Sequence, residues 1–74
     1  MAKNFNVSFN TSSAQDVNMK VMDQTGRIIK SMIINASSGI NIQQIGVEDL
    51  SAGLYMVILE SPESGINKYP LLLQ

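Results

Sequence analysis

Two runs of alternating apolar and polar residues open the chain. Phe and Val alternate with Asn and Ser over residues 5–9, and Val and Met alternate with Asn and Lys over residues 17–21. A period of two is typical of a strand with one buried face and one solvent-exposed face. The sequence therefore predicts two strands, whose apolar side chains are those of Phe5, Val7, Phe9, Val17, Met19 and Val21.

A turn and a third strand follow these two runs. Asp23 stands at the first position of a four-residue turn, and Gly26 closes it. Such a turn suits a bulged hairpin, with the glycine in the left-handed conformation. Residues 27–34 are rich in β-branched side chains, which favour strands. We therefore expect a hairpin here, with Gly26 at positive φ.

Turn-forming residues 35–39 end the third strand, and residues 40–45 begin a fourth. Residues 46–53 show neither a strand nor a helix period. We expect this segment to be a crossing loop, with the side chain of Leu50 at the edge of the core.

Residues 54–59 are apolar on both faces, a pattern typical of an interior strand that is covered on both sides. Residues 61–65 form the next turn, and residues 66–73 return as the last strand. Pro70 has no N–H to donate to a neighbouring strand, so this last strand is expected at a sheet edge or interrupted.

Six such strands, with no helical period, indicate a single all-β domain over residues 1–74. The predicted fold is a small antiparallel, immunoglobulin-like β-sandwich of six to seven strands. A small β-barrel is the alternative.

Composition excludes several functions. The chain has no Cys and no His, and its formal charge is −1. It therefore lacks the usual groups for nucleophilic catalysis and transition-metal binding, and it has no basic field for nucleic acid or an anionic membrane. The six acidic residues lie mostly at predicted turns and strand ends. We expect no enzyme activity, no cofactor, no metal, no nucleic-acid partner and no membrane insertion.

The start of the chain shows no apolar stretch typical of a signal peptide. We expect either a cytosolic protein or a C-terminal domain excised from a longer exported protein.

Two motifs resemble those of a known family. An alternating strand leads into an Asp-x-x-Gly-Arg turn at Asp23, Gly26 and Arg27, and Gly53 and Tyr55 lie in a Leu-x-x-Gly-x-Tyr pattern. In these motifs and in length, the chain resembles the C-terminal sorting domain of type IX secretion substrates in Bacteroidetes. The likeness covers almost the whole chain, and Lys68 matches a lysine near the family's end.

The resemblance implies a function and its partners. Domains of this family are immunoglobulin-like sandwiches that the outer-membrane secretion machinery recognises and that a sortase-like peptidase commonly removes. The resemblance also implies that the protein passes through the periplasm and is then located at the cell surface or secreted. The sorting-motif candidates are Asp23, Gly26, Arg27, Gly53, Tyr55 and Lys68.

Two further expectations come from the residues. A non-enzymatic module of this kind is also compatible with a stand-alone adhesive or structural role, in which it binds a protein or a glycan. At the C-terminal edge, residues 71–73 are three consecutive leucines that one sheet face cannot all bury. We expect at least one to point outward and a weak homodimer to form through this edge.

Overall fold

A computed structural model describes residues 4–74 of the chain. The expectation about a signal peptide rests partly on residues 1–3, which lie outside the described residues. The described part contains six strands: β1 (Asn4–Thr11), β2 (Gln15–Met22), β3 (Ile28–Ala36), β4 (Gly39–Gly46), β5 (Gly53–Ser61) and β6 (Gly65–Leu73). No helix in residues 4–74 is long and apolar enough to cross a membrane.

The strands form two antiparallel sheets. Strands β1 and β4 make a two-stranded sheet, and the other four make a sheet in the order β3-β2-β5-β6. The first, third and fourth connections therefore cross between the sheets, while β2–β3 and β5–β6 are hairpins. This confirms the small β-sandwich and not the closed barrel.

The core lies between the two sheets. Met19, Val21 and Ile45 are the largest fully buried side chains, and they come from both sheets. The phenylalanines of β1 pack against this core, as their alternation predicts. Leu50 also packs against it from the β4–β5 loop, as expected, and Val47 beside it is 2% exposed. The burial of Val47 was not predicted, because a single valine in a loop carries no period.

Strand β5 is central in its sheet, as predicted, but the prediction that both its faces are covered is wrong. Its inward side chains, Val57 and Leu59, are buried, whereas Leu54 on the outward face is 47% exposed. The reason is the architecture: the two-stranded sheet covers only one face of the four-stranded sheet.

Strand β6 lies at the edge of the four-stranded sheet, which confirms the position inferred from Pro70. An edge strand tolerates proline because one side of its backbone has no partner strand. Leu71 and Leu73 pack against the core, whereas Leu72 is 63% exposed. One of the three leucines therefore points outward, as expected.

Candidate functional site

The Asp-x-x-Gly-Arg motif forms the tight turn between β2 and β3. Gly26 N–H donates to the Asp23 carbonyl at 3.1 Å, and Asp23 N–H donates to the Arg27 carbonyl at 2.9 Å. The Asp23 carboxylate oxygen Oδ1 accepts three further bonds, from Thr25 N–H and Arg27 N–H at 3.0 Å each and from the Thr25 hydroxyl at 2.6 Å. An Asp at this position thus replaces the missing backbone partners of the turn.

Gly26 has a φ of +88°, which confirms the left-handed conformation predicted for it. The register of the β2–β3 pair shifts between Val21 and Met22, so the hairpin is bulged, also as predicted. A residue with a side chain is strained at this φ because its Cβ approaches the carbonyl oxygen. The turn therefore requires glycine at this position because of its backbone conformation.

The second motif shapes the entry into β5. Gly53 begins the strand with a φ of +151°, again a conformation that side-chain-bearing residues rarely adopt. Two residues later, the Tyr55 hydroxyl donates to the Ser51 carbonyl at 2.7 Å. The tyrosine ring packs against the core, so it anchors the loop to the sheet. These contacts give both motif residues a structural role beside any role in recognition.

The two motifs meet at one end of the four-stranded sheet. Strands β2 and β5 are antiparallel neighbours, and Met22 at the end of β2 pairs with Met56 near the start of β5. A Cβ added to Gly53 would lie 3.9 Å from Gln24 Nε2. Between them is a cleft of about 220 Å³, lined by Asp23, Gln24, Thr25, Ala52, Gly53, Leu54 and Tyr55. We call this region, residues 23–27 with residues 52–55, the motif corner.

The charge pattern of the motif corner is simple. The hydrogen bond from the Thr25 hydroxyl, followed by that from the Arg27 amide, lowers the pKa of the Asp23 carboxyl. Arg27 Nε lies 3.6 Å from Asp23 Oδ2, and the arginine side chain is 77% exposed. The carboxylate therefore stabilises the turn, while the guanidinium remains available to a partner.

Lys68 does not join the motif corner. It lies on β6, opposite Ile58 of β5, and its side chain is exposed. The structure thus brings Asp23, Gly26, Arg27, Gly53 and Tyr55 together and places Lys68 further along the sheet. Sequence reasoning missed Gln24, which lies in the cleft, because a polar residue within a turn carries no signal of its own.

The motif corner presents an exposed turn beside a small cleft. Residues 4–74 include no group of three acidic side chains that could hold a metal ion. What the corner offers is a rigid turn, a small cleft and one accessible guanidinium. A small all-β domain with such a surface belongs to the class of recognition domains.

Comparison with known proteins identifies the family. The family model described as "Secretion system C-terminal sorting domain" matches residues 1–69. The chain therefore belongs to the family of C-terminal sorting domains of type IX secretion, a family that is in general non-catalytic. It acts as a sorting signal, which implies interaction with the type IX machinery and export to the cell surface or secretion. No curated protein and no solved structure matches the chain significantly.

Proposed function

We propose that the secretion machinery recognises this domain through the motif corner, with Lys68 as a second contact. The observation that supports this is the meeting of the two family motifs, distant in sequence, at one exposed end of the sheet. Arg27 is the most accessible charged group there, and the hydrogen bonds of Asp23 fix the turn that carries it. A fixed turn loses little conformational entropy on binding.

The domain itself is proposed to have no enzyme activity and to be the C-terminal part of a longer exported protein. In this account the protein crosses the periplasm before the outer-membrane step. A sortase-like peptidase then removes the domain. The resemblance to the family supports each of these steps.

Fusion to a reporter tests the recognition residues. The domain is placed at the C-terminus of a reporter with a signal peptide, in a bacterium with a functional type IX system, and surface reporter is measured. We expect Arg27→Ala combined with Lys68→Ala to reduce export about tenfold, because two exposed charged contacts contribute up to about 1 kcal/mol each. Gln44→Ala, an exposed polar change on the two-stranded sheet, is the control. Export that survives the double substitution would exclude both residues as contacts.

We further propose weak self-association through the free edge of β6. Among the described strands, none pairs with the outer side of β6, so its backbone groups there are unpaired, and Leu72 is exposed beside them. Unpaired edges of this kind template the addition of another strand. Sedimentation over a roughly 100-fold dilution from a millimolar stock should show a concentration-dependent shift. A monomer throughout would refute the dimer.

A further inference from the structure

The outward face of the four-stranded sheet carries an ordered set of side chains. The strand register places Lys20, Ile58 and Lys68 in one row across β2, β5 and β6. Residues opposite each other on paired antiparallel strands point to the same face. The two lysines therefore flank Ile58, with their Cα atoms about 10 Å apart, which is twice the spacing between strands.

An apolar patch lies between this row and the end of the sheet that carries the motif corner. The next row contains Met22, Met56 and Pro70, and the row after it pairs Leu54 with Leu72. The patch is accessible, since Leu54 is 47% and Leu72 is 63% exposed. We call eight residues the outer patch, with the two lysines as its rim: Lys20, Met22, Leu54, Met56, Ile58, Lys68, Pro70 and Leu72. Leu54 belongs to both the outer patch and the motif corner.

The rim is positively charged, and neither of its lysines forms an ion pair within residues 4–74. In the part of the chain that the structure describes, the ion pairs are those of Arg27 with Asp23 and of Lys30 with Asp49. Lys20 and Lys68 belong to neither. The nearest acidic position in the register is Glu60, one row beyond the lysines and away from the apolar patch. The apolar rows thus have two cations on one side.

We infer that the outer patch docks onto a protein segment of the secretion machinery that presents apolar side chains next to carboxylates. This inference rests on the proposed function and adds a second contact surface and the chemistry of its partner. Charge complementarity carries it: carboxylates facing Lys20 and Lys68 orient the partner and speed its encounter, while the apolar rows supply the buried contact.

A second copy of this chain fits the outer patch poorly. With patch laid on patch, the lysines face either the lysines or the leucine row, Leu54 and Leu72, of the other copy. Neither arrangement supplies a carboxylate, and the first sets like charges against each other. The occupant is therefore a different protein with acidic groups.

Charge substitutions test the rim in the reporter fusion described above. Lys20→Gln combined with Lys68→Gln should lower the exported fraction about tenfold, since two exposed charged contacts with the partner are lost. Lys20→Arg combined with Lys68→Arg keeps the charge and should export normally. The matched control is Asn10→Glu with Gln44→Glu, which changes the net charge by the same amount on the exposed face of the other sheet.

Apolar substitutions test the patch itself. Leu54→Thr combined with Leu72→Thr should also reduce export about tenfold, because both leucines lie in the apolar rows that supply the buried contact, and the costly truncations at an interface cluster at its buried centre. Ile40→Thr combined with Ile42→Thr removes side chains that are 76% and 70% exposed on the other sheet and should have no effect. Thermal melts of all purified variants test whether each variant remains folded.

The outcomes distinguish a failure of the sorting function from a failure of the docking surface alone. If the unsubstituted fusion is not exported, the sorting function and this inference both fail. If it is exported and the Gln and Thr variants are exported equally well, the inference alone is wrong. An equal loss in the Asn10→Glu and Gln44→Glu control would show a general charge effect and overturn the docking surface. If the Thr variants abolish self-association in sedimentation but leave export intact, the patch serves a second copy and the inference is again overturned.

Discussion

The left-handed conformation of Gly26 leads to a quantitative prediction. Replacing it with Ala adds one methyl group, and a Cβ built at this position has no other atom within 4 Å. Steric clash with neighbouring atoms therefore plays no part. What remains is the cost of holding a side-chain-bearing residue at a φ of +88°, which is roughly 1–2 kcal/mol.

Gly46 provides the matched control. It ends β4, it is not among the glycines with positive φ, and a Cβ there also has nothing within 4 Å. Both Gly→Ala changes restrict the unfolded chain, and this effect alone contributes about 0.4–1 kcal/mol in favour of the folded state. This contribution cancels when Gly26→Ala is compared with Gly46→Ala, so the difference between the two variants isolates the backbone strain.

Thermal and urea unfolding of the two variants measure that difference. In a domain of this size, 1 kcal/mol corresponds to a shift in Tm of roughly 4–8 °C. We therefore expect Gly26→Ala to melt about 4–16 °C below Gly46→Ala. Two variants that melt within about 2 °C of each other would refute the reasoning, because the turn would then accept a side chain without strain.

Two further predictions concern the core and the loops. Met19 is 1% exposed, so Met19→Ala should cost about 2–5 kcal/mol and leave a domain of this size largely unfolded, whereas Met19→Leu should cost less than about 1.5 kcal/mol in urea denaturation. Equal melts for the two variants would contradict this. The Glu63 carboxylate accepts hydrogen bonds from the Ser12 hydroxyl, the Gln15 side-chain amide and the Ser12 backbone N–H. These bonds lower the pKa of Glu63. A lowered pKa gives stability that is present above the ordinary carboxyl pKa and lost as pH falls through the folded-state value. The stability advantage of the wild type over Glu63→Gln should therefore be larger at pH 7 than in acid, and an advantage independent of pH would refute the role of the carboxylate.

The strands could be predicted because their signals are local. Alternation over residues 5–9 and 17–21 and turn residues such as Asp23 and Gly26 act over a few neighbouring positions. The β2–β3 hairpin follows from these signals alone. So does the edge position of β6, since Pro70 limits where its strand can lie.

The division into two sheets could not be predicted in the same way. Strand β1 pairs with β4, far along the chain, and no local pattern encodes that choice. For the same reason, the apolar run of β5 predicts a strand covered on both sides, whereas the structure covers one side only. Such a run indicates a buried strand or an exposed apolar face equally well, and only the position of the other sheet distinguishes them.

The candidate site shows the same limit. Each family motif was visible in the sequence, but their meeting depends on the β2–β5 register, which pairs Met22 with Met56. The outer patch depends on that register too, because Lys20 and Lys68 become neighbours of Ile58 only in the assembled sheet. Tertiary pairing, and not residue type, creates both surfaces.

This domain is a sorting signal for type IX secretion. The most direct measurement is the location of a reporter with a signal peptide and this domain at its C-terminus, in two strains that differ only in a functional outer-membrane type IX translocon. We predict reporter at the surface or in the medium of the competent strain and intact fusion retained in the periplasm of the deficient strain. The same location in both strains would contradict the claim.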